Sequence, residues 1–242
     1  MGVVSTRLRL AEHPIICYAR IMLIDFHSHF PSPGALVCTA SPSKEAPSAC
    51  LMRFEGLLPD RWSEGRQEEL SELILSDKGI HMGEIGLDKR FVQAVSLQKQ
   101  ADILRRELSF AIGAGRCVSL HCVRATGLMI EVLSEFRNRP FSVLWHGFTG
   151  SAETAAIVHR MGVIVSIGER FTGSIGALVK ANPFTVPETD YEGTDPKAYE
   201  RTLRARYERF SLELRTSTDE LEIRSDRILC TMNPCMRNQM QP

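Results

Sequence analysis

The chain has 242 residues, of which 43% are hydrophobic and 24% are charged, so it can bury the core of one large or two small domains and is not disordered as a whole. Its 29 basic and 29 acidic residues cancel, which excludes a global positive field that would draw the protein onto nucleic acid or anionic lipid. No stretch of the sequence approaches the roughly 18 to 20 uninterrupted apolar residues of a membrane span.

Residues 1–21 are expected to be an N-terminal extension outside the fold. A short apolar patch near Ile15 follows Glu12, and no small-residue cleavage site comes after it, so we do not predict a signal peptide. Met22 lies directly before the first predicted strand, and translation that begins there is one hypothesis. We therefore predict a single domain over residues 22–242.

The first predicted strand, residues 23–29, is an apolar run that ends in the pattern Asp-x-His-x-His. Side chains alternate along a strand, so His27 and His29 point the same way, roughly 6 to 7 Å apart along the backbone. Two imidazoles in that position can bind one metal ion. The motif alone fits ordinary polar residues at a strand end equally well, so the rest of the chain has to supply further ligands.

Strand-like apolar runs then alternate with helical patterns along the sequence. Residues 31–50, rich in proline, serine and alanine, are predicted to form a long surface loop. Residues 215–242 are polar and are expected to lack a regular closing helix. The predicted strands cover residues 51–58, 80–85, 117–121, 141–146 and 163–167, and the predicted helices cover residues 68–76, 93–114, 126–136, 151–161 and 196–214.

Alternating strands and helices imply a parallel sheet with right-handed crossovers. At least six such units and no glycine-rich phosphate loop favour an α/β fold of the closed TIM (β/α) barrel type over an open doubly wound sheet. A last strand before Asp190 is expected to be short or irregular, because Pro187 lacks the backbone donor that a central strand needs. The C-terminal end of the barrel is therefore expected to be the place where it departs from regularity.

Residues of metal-binding type follow the predicted strands. In a TIM barrel the functional groups lie at the C-terminal ends of the strands. Taken singly, each would more often be an ordinary polar residue at a barrel mouth, but four of the seven histidines on one rim are hard to explain by chance. His13, His81 and His159 do not share this placement and are interpreted as surface or structural residues. The candidates are His27, His29, Glu84, His121, His146 and Asp190.

Five short blocks resemble, in order and spacing, the signatures of the TatD family of metal-dependent hydrolases, which belongs to the amidohydrolase superfamily. The resemblance extends over about residues 22–190. It implies a TIM barrel, a centre that usually holds two divalent metal ions, and deoxyribonuclease activity. It also implies that the six candidates above are the metal ligands. The blocks are DFHSH (residues 25–29), GEIGLD (83–88), HCVRA (121–125), HGFTGS (146–151) and ETD (188–190).

The resemblance and the chemistry of the residues together give expected roles in hydrolysis of phosphodiester bonds in DNA by a metal-activated water. Glu84 would bridge the two ions, which are Zn, Mg or Mn, and Asp190 would also act as general base. Arg124 corresponds to the family arginine and would clamp a phosphate, although a solvated loop arginine is the alternative interpretation. Lys89 would add positive charge for substrate binding, and Asp88 would orient a ligand.

Two other functions remain open. The same scaffold can hydrolyse a small amide, ester or lactone, since a fold does not fix its substrate. A catalytically inactive metal-binding relative is the third possibility. The candidate bridging residue Glu84 and the lack of a lysine at a strand end, where a carbamylated bridge would lie, favour the nuclease.

The seven cysteines are odd in number and include no C-x-x-C pair. This composition favours reduced thiols and a cytoplasmic location over a disulfide framework. We expect no association with membranes, and a monomer.

Overall fold

A computed structural model describes residues 22–39, 50–139 and 142–232. The extension predicted over residues 1–21 lies outside the described residues. Eight parallel strands pair in chain order and form a nearly closed TIM barrel, which confirms the predicted fold class. The strands are β1 (Asp25–Ser28), β2 (Ala35–Thr39), β3 (Met52–Glu55), β4 (Ile80–Asp88), β5 (Val118–Val123), β6 (Val143–Trp145), β7 (Val163–Ile167) and β8 (Thr185–Pro187).

Seven α-helices accompany these strands within the described residues. Five of them connect consecutive strands from β3 onward, and two follow β8. Their starts carry the expected capping signals: the hydroxyl of Ser151, for example, accepts a hydrogen bond from the backbone of Thr154 in the first turn of the fourth helix. The helices are α1 (Glu64–Ser76), α2 (Leu97–Gly113), α3 (Thr126–Phe136), α4 (Ala152–His159), α5 (Ile175–Ala181), α6 (Pro196–Leu214) and α7 (Thr218–Met232).

The segment after β8 joins β1 and brings the two ends of the sheet together. The backbone N–H of Asp190 donates to the carbonyl of His27 at 3.0 Å, and that of His29 donates to the carbonyl of Tyr191 at 3.1 Å. These bonds fix three candidate ligands on one edge. Strand β8 is short, three residues ending in Pro187, as the sequence predicted.

The prediction of one long loop over residues 31–50 is wrong for its described N-terminal part. Residues Ala35–Thr39 form β2, which pairs with both β1 and β3 and is almost wholly buried. The run Ala-Leu-Val-Cys has no alternation to mark it, because both of its faces are covered, and the prolines and serines around it suggest a loop. Residues 40–49 of that predicted loop lie outside the described part of the chain.

The expectation of no closing helix after residue 215 is also wrong, because α7 occupies Thr218–Met232. Its apolar side chains Ile228, Leu229 and Met232 join a buried cluster that includes Phe54 of β3 and Ile164 of β7. Cys117 and Ser142, which directly precede β5 and β6, donate to the carbonyl oxygens of Met232 and Thr231, so α7 closes the N-terminal end of the barrel. The described part of the C-terminal region is regular.

No helix among the described residues combines the length and the apolar character required for a membrane crossing. Five cysteines are described, and each is a free thiol: Cys38, Cys50, Cys117, Cys122 and Cys230.

Candidate metal centre

The six candidate ligands come from five strands and meet at the C-terminal mouth of the barrel. His27 lies in β1 and His29 follows it, His121 lies in β5, His146 follows β6 directly, and Asp190 comes three residues after β8. They fall into two groups, and within each group all ligand atoms lie within 4.8 Å of one another. The first group is His27, His29, Glu84 and Asp190, and the second is Glu84, His121 and His146.

Glu84 belongs to both groups and is positioned by an irregularity in β4. The sequence predicted a strand that stopped just after Glu84, whereas β4 continues to Asp88, with a register shift between Met82 and Ile85. Gly86, at φ 153°, lies so close to β5 that an added Cβ would sit 1.9 Å from the carbonyl oxygen of His121. Position 86, two residues after Glu84, therefore requires a glycine for β4 and β5 to approach this closely.

Each carboxylate oxygen of Glu84 faces one group. Oε1 lies 2.9 Å from His27 Nε2 and 3.1 Å from His29 Nε2. Asp190 completes this group, with Oδ1 3.6 Å from His29 Nε2 and 3.8 Å from His27 Nε2. The first group therefore offers two imidazole nitrogens and two carboxylate oxygens.

The second group gathers around Glu84 Oε2. His121 Nδ1 lies 3.2 Å from this oxygen and His146 Nε2 lies 3.3 Å from it. The two imidazole nitrogens are 3.2 Å from each other. The buried Nδ1 atom of His146 has no hydrogen-bond partner among the described residues.

Surrounding groups orient the histidines from behind. His29 Nδ1 lies 2.9 Å from the carbonyl oxygen of Cys38, which can only accept, so Nδ1 carries a proton and Nε2 is the nitrogen that faces the centre. His121 Nε2 lies 3.0 Å from Asp88 Oδ2, which likewise leaves Nδ1 to face Glu84. Asp88 thus makes the contact that the sequence analysis expected of it.

Electrostatics favour a charged Glu84 and a neutral His27 at neutral pH. Burial tends to raise the pKa of Glu84, but the imidazoles of His146 and His27 hold that pKa well below its ordinary value. Burial also lowers the pKa of His27 to about 4, and the nearby His146 adds to this effect, so His27 is neutral at pH 7. A charged carboxylate beside a neutral imidazole is a suitable ligand pair for a divalent ion.

The pKa of His29 shifts in the opposite direction from that of His27. Burial tends to lower its pKa, but contacts with Asp190 and Glu84 outweigh burial and raise the pKa to about 10. His29 therefore carries a proton that a bound cation would have to displace, and cation binding at this position is coupled to proton release.

Asp25, the first residue of the histidine motif, is a positioning residue that the sequence analysis left without a role. It belongs to neither ligand group. Its fully buried carboxylate accepts hydrogen bonds from the backbone N–H of Thr189 at 2.9 Å and from the Thr189 hydroxyl at 2.6 Å. Asp25 thus ties β1, which carries His27, to the segment that carries Asp190. The sequence signal was its place two residues before His27.

Glu188 is a second such residue. Its buried carboxylate accepts from the Ser166 hydroxyl of β7 at 2.5 Å and from the backbone N–H of Gly147 at 2.8 Å. It therefore links the loop that follows His146 to the segment that leads to Asp190.

The two predicted substrate-binding residues lie outside the ligand groups. Arg124 follows β5 directly, is exposed and has φ 54°, and its side chain forms no hydrogen bond or ion pair with another described residue. Lys89 follows β4 and is likewise exposed. A third cation, Arg170, contacts the centre itself, because its guanidinium donates to Asp190 Oδ2.

Comparison with known proteins finds a matching family model and a human relative. The family model described as TatD related DNase matches residues 40–213. The human protein named 3'-5' RNA nuclease TATDN2 is 26% identical over 90 residues, which are 37% of this chain and only 12% of that protein.

Three solved structures share the fold. The structure of YJJV, a TatD homolog from Escherichia coli K12, is 19% identical and covers 87% of this chain and 97% of its own, with a TM-score of 0.69. A TatD family hydrolase from Entamoeba histolytica is 15% identical, with coverages of 83% and 84% and a TM-score of 0.65. An uncharacterized amidohydrolase from Saccharomyces cerevisiae is 13% identical, with coverages of 82% and 88% and a TM-score of 0.59.

Proposed function

The chain belongs to the family of TatD-related DNases, and from this membership we propose that it is a divalent-metal-dependent hydrolase of phosphodiester bonds in DNA. The observation that carries the proposal is the position of Glu84, whose two carboxylate oxygens each face a separate group of histidines. A carboxylate in that position would suit a centre that holds two divalent ions, one in each group.

The donor set fits divalent ions. Four imidazoles suit Zn or Mn, and the two carboxylates together with a phosphate substrate also suit Mg, so we propose two ions of this class as cofactors. Such ions supply charge neutralisation at the phosphate and lower the pKa of a water molecule. We propose His27, His29, Glu84, His121, His146 and Asp190 as their ligands.

The chain's own residues have separate tasks in this proposal. Asp190, at the open edge of the first group, is proposed to accept a proton from the attacking water. Burial tends to raise its pKa, but the hydrogen bond with His29 outweighs burial and keeps the carboxylate ionised at neutral pH. Asp88 holds the ring of His121 in place. The exposed cations Arg124 and Lys89, which follow β5 and β4 at the mouth, are proposed to bind the phosphates of the substrate.

RNA is the second polymer to consider, because the human relative is named as an RNA nuclease. The barrel mouth supplies charge that would attract either polymer. We further propose a monomer located in the cytoplasm, a setting in which the free thiols of the described cysteines stay reduced.

Digestion of end-labelled DNA and RNA, single- and double-stranded, with Mg, Mn or Zn present tests this proposal. We expect wild-type protein to cleave DNA, Asp190→Asn to lose at least about a hundredfold in rate through the lost base, and Glu84→Ala to lose all measurable cleavage. The exposed Arg160, at the far end of α4 from the mouth, provides the control Arg160→Ala, which should match wild type. Equal cleavage by all four proteins would refute the site, and cleavage of neither polymer by wild type would refute the nuclease.

A further inference from the structure

A groove leaves the metal centre on its Asp190 side. It consists of two neighbouring cavities of about 110 and 340 Å³, which share the lining residues Thr149, Arg170 and Phe171. The inner cavity includes Asp190 in its wall, and the outer one extends to Ala177 on α5. The groove therefore runs from a candidate ligand outward between the loop that precedes α4 and the loop that precedes α5.

The lining of the groove is suited to a polar ligand. Hydroxyl side chains and glycine backbone line it, while the ring of Phe171 is buried beneath it. The outer cavity alone lies within the range of about 300 to 1,000 Å³ that is usual for small-molecule sites. The hydroxyls belong to Thr149, Ser151, Thr172 and Ser174.

In the outer cavity one side chain carries the charge, that of Arg170, whereas the wall of the inner cavity also includes the acidic residues Glu169, Glu188 and Asp190. Among the described residues that line it, Arg170 alone is cationic. Its side chain is 69% exposed, and its guanidinium is bonded to Asp190. The acidic neighbour Glu169 is directed to another partner, because its carboxylate lies 3.4 Å from Arg206 on α6. An anion in the outer cavity would therefore have Arg170 as its charged partner.

Helix α6 holds the loop that carries Arg170. The guanidinium of Arg209 donates to the carbonyl oxygen of Phe171 at 2.8 Å and to that of Gly173 at 3.4 Å. Glu213 accepts from the backbone N–H of Ile175 at 2.7 Å. The backbone on the C-terminal side of Arg170 is thus fixed, while its side chain stays free to exchange partners.

We propose that this groove binds one nucleotide of the substrate strand and that Arg170 binds its phosphate, releasing Asp190 to the metal centre. The proposal rests on the proposed nuclease function. A guanidinium forms two parallel hydrogen bonds with a phosphate, and an Asp190 carboxylate that is shared with a cation is a weaker partner for it. Arg170 is a binding residue in this account, and the hydroxyls of the lining contact the sugar and phosphate.

Equilibrium binding of labelled phosphorothioate decamers of DNA and of RNA, which resist cleavage, tests the proposal in the presence of Mn²⁺. We expect Arg170→Ala to weaken binding about tenfold, the loss of one good charged contact, and to reduce the slope of log Kd against log salt concentration by about one. Arg170→Lys should bind at an intermediate level, and the control Arg160→Ala should match wild type. Ala177→Trp, which fills the outer cavity from the exposed face of α5, should also weaken binding.

Metal content, measured on the same samples, distinguishes the loss of a phosphate contact from the loss of bound metal. Arg170→Ala should retain as much Mn²⁺ as wild type, since Arg170 is not a ligand. Two results overturn the inference when wild type cleaves nucleic acid. In the first, Arg170→Ala binds the decamers with the same Kd and the same salt slope as wild type. In the second, Arg170→Ala binds them more weakly but has also lost metal. If wild type neither binds nor cleaves either decamer or its natural counterpart, the proposed function fails and this inference fails with it.

Discussion

Side chains at the mouth of the barrel are of two kinds. Those of the first kind face the candidate metal centre, and those of the second kind hold these candidate ligands in position. The sequence was sufficient to predict that residues of the first kind lie together, because they are polar residues in or just after apolar strands. They are His27, His29, Glu84, His121, His146 and Asp190, and their role as metal ligands stays a prediction. Asp25 was not assigned a role, because its partner Thr189 is 164 positions away in the chain. Long-range hydrogen bonds of this kind leave no local pattern.

Asp88 offers a test of how the centre is held. Its carboxylate fixes His121 through one hydrogen bond of 3.0 Å, so Asp88→Ala should lower metal affinity by about 10- to 100-fold while all six proposed ligands stay present. Titration calorimetry with Zn²⁺ measures the change. Asp102→Ala removes a carboxylate that is 54% exposed on α2 and is the matched control. Unaltered affinity in Asp88→Ala would mean that the ring of His121 needs no such support.

Glu107 is a buried acid far along α2 with no part in the proposed chemistry. Its side chain is 2% exposed, and burial raises its pKa well above the ordinary 4.5. The folded protein therefore holds this proton more tightly than the unfolded chain does. As the pH rises above 4.5 the free energy of unfolding should fall by about 1.4 kcal/mol per unit, until the pH reaches the pKa of the folded state.

Glu107→Gln removes that dependence and should stabilise the protein relative to wild type more at pH 8 than at pH 5. Urea denaturation at the two pH values gives the comparison. The exposed Glu131→Gln on α3 is the control and should follow wild type. If the Glu107 variant follows wild type as well, the carboxyl group of Glu107 is not buried as described.

At the scale of elements, the sequence predicted those strands and helices whose hydrophobic pattern is complete within the element itself. The sequence predicted α3 (Thr126–Phe136), β7 (Val163–Ile167) and α6 (Pro196–Leu214) with their observed ends. It missed α5, whose seven residues are too few for a clear helical period. It also missed β2 and α7. Both elements are stabilised by contacts with distant parts of the chain that cover them, and such contacts leave no local sequence pattern.

Helix α7 is the element whose loss should matter most for stability, because it closes the N-terminal end of the barrel. Leu229 is 6% exposed there, so Leu229→Ala should lower the free energy of unfolding by about 2 to 5 kcal/mol. Ile223 lies on the same helix but is 49% exposed, and Ile223→Ala should change it by no more than about 0.5 kcal/mol. Urea denaturation of both variants measures the difference, and equal losses would contradict the position given to α7.

At the scale of the whole molecule, the proposed binding of a polyanion by a neutral protein requires that positive charge be arranged locally. Lys plus Arg equals Asp plus Glu over the chain, yet Lys89, Arg124 and Arg170 are exposed at or near the mouth. The barrel makes this possible, since parallel strands deliver residues that are far apart in sequence to one rim. Under the proposed function, substrate choice would depend on these rim loops, where sequence patterns carry least information.

The central claim is that Glu84 joins two metal ions at this rim. Counting ions per chain by native mass spectrometry, after saturation with Zn²⁺ and removal of the excess, tests it most directly in wild type and in Glu84→Gln, which keeps the size of the side chain. The account predicts two ions in wild type and at most one in the variant. Two ions retained in Glu84→Gln, or none bound by wild type, would contradict it.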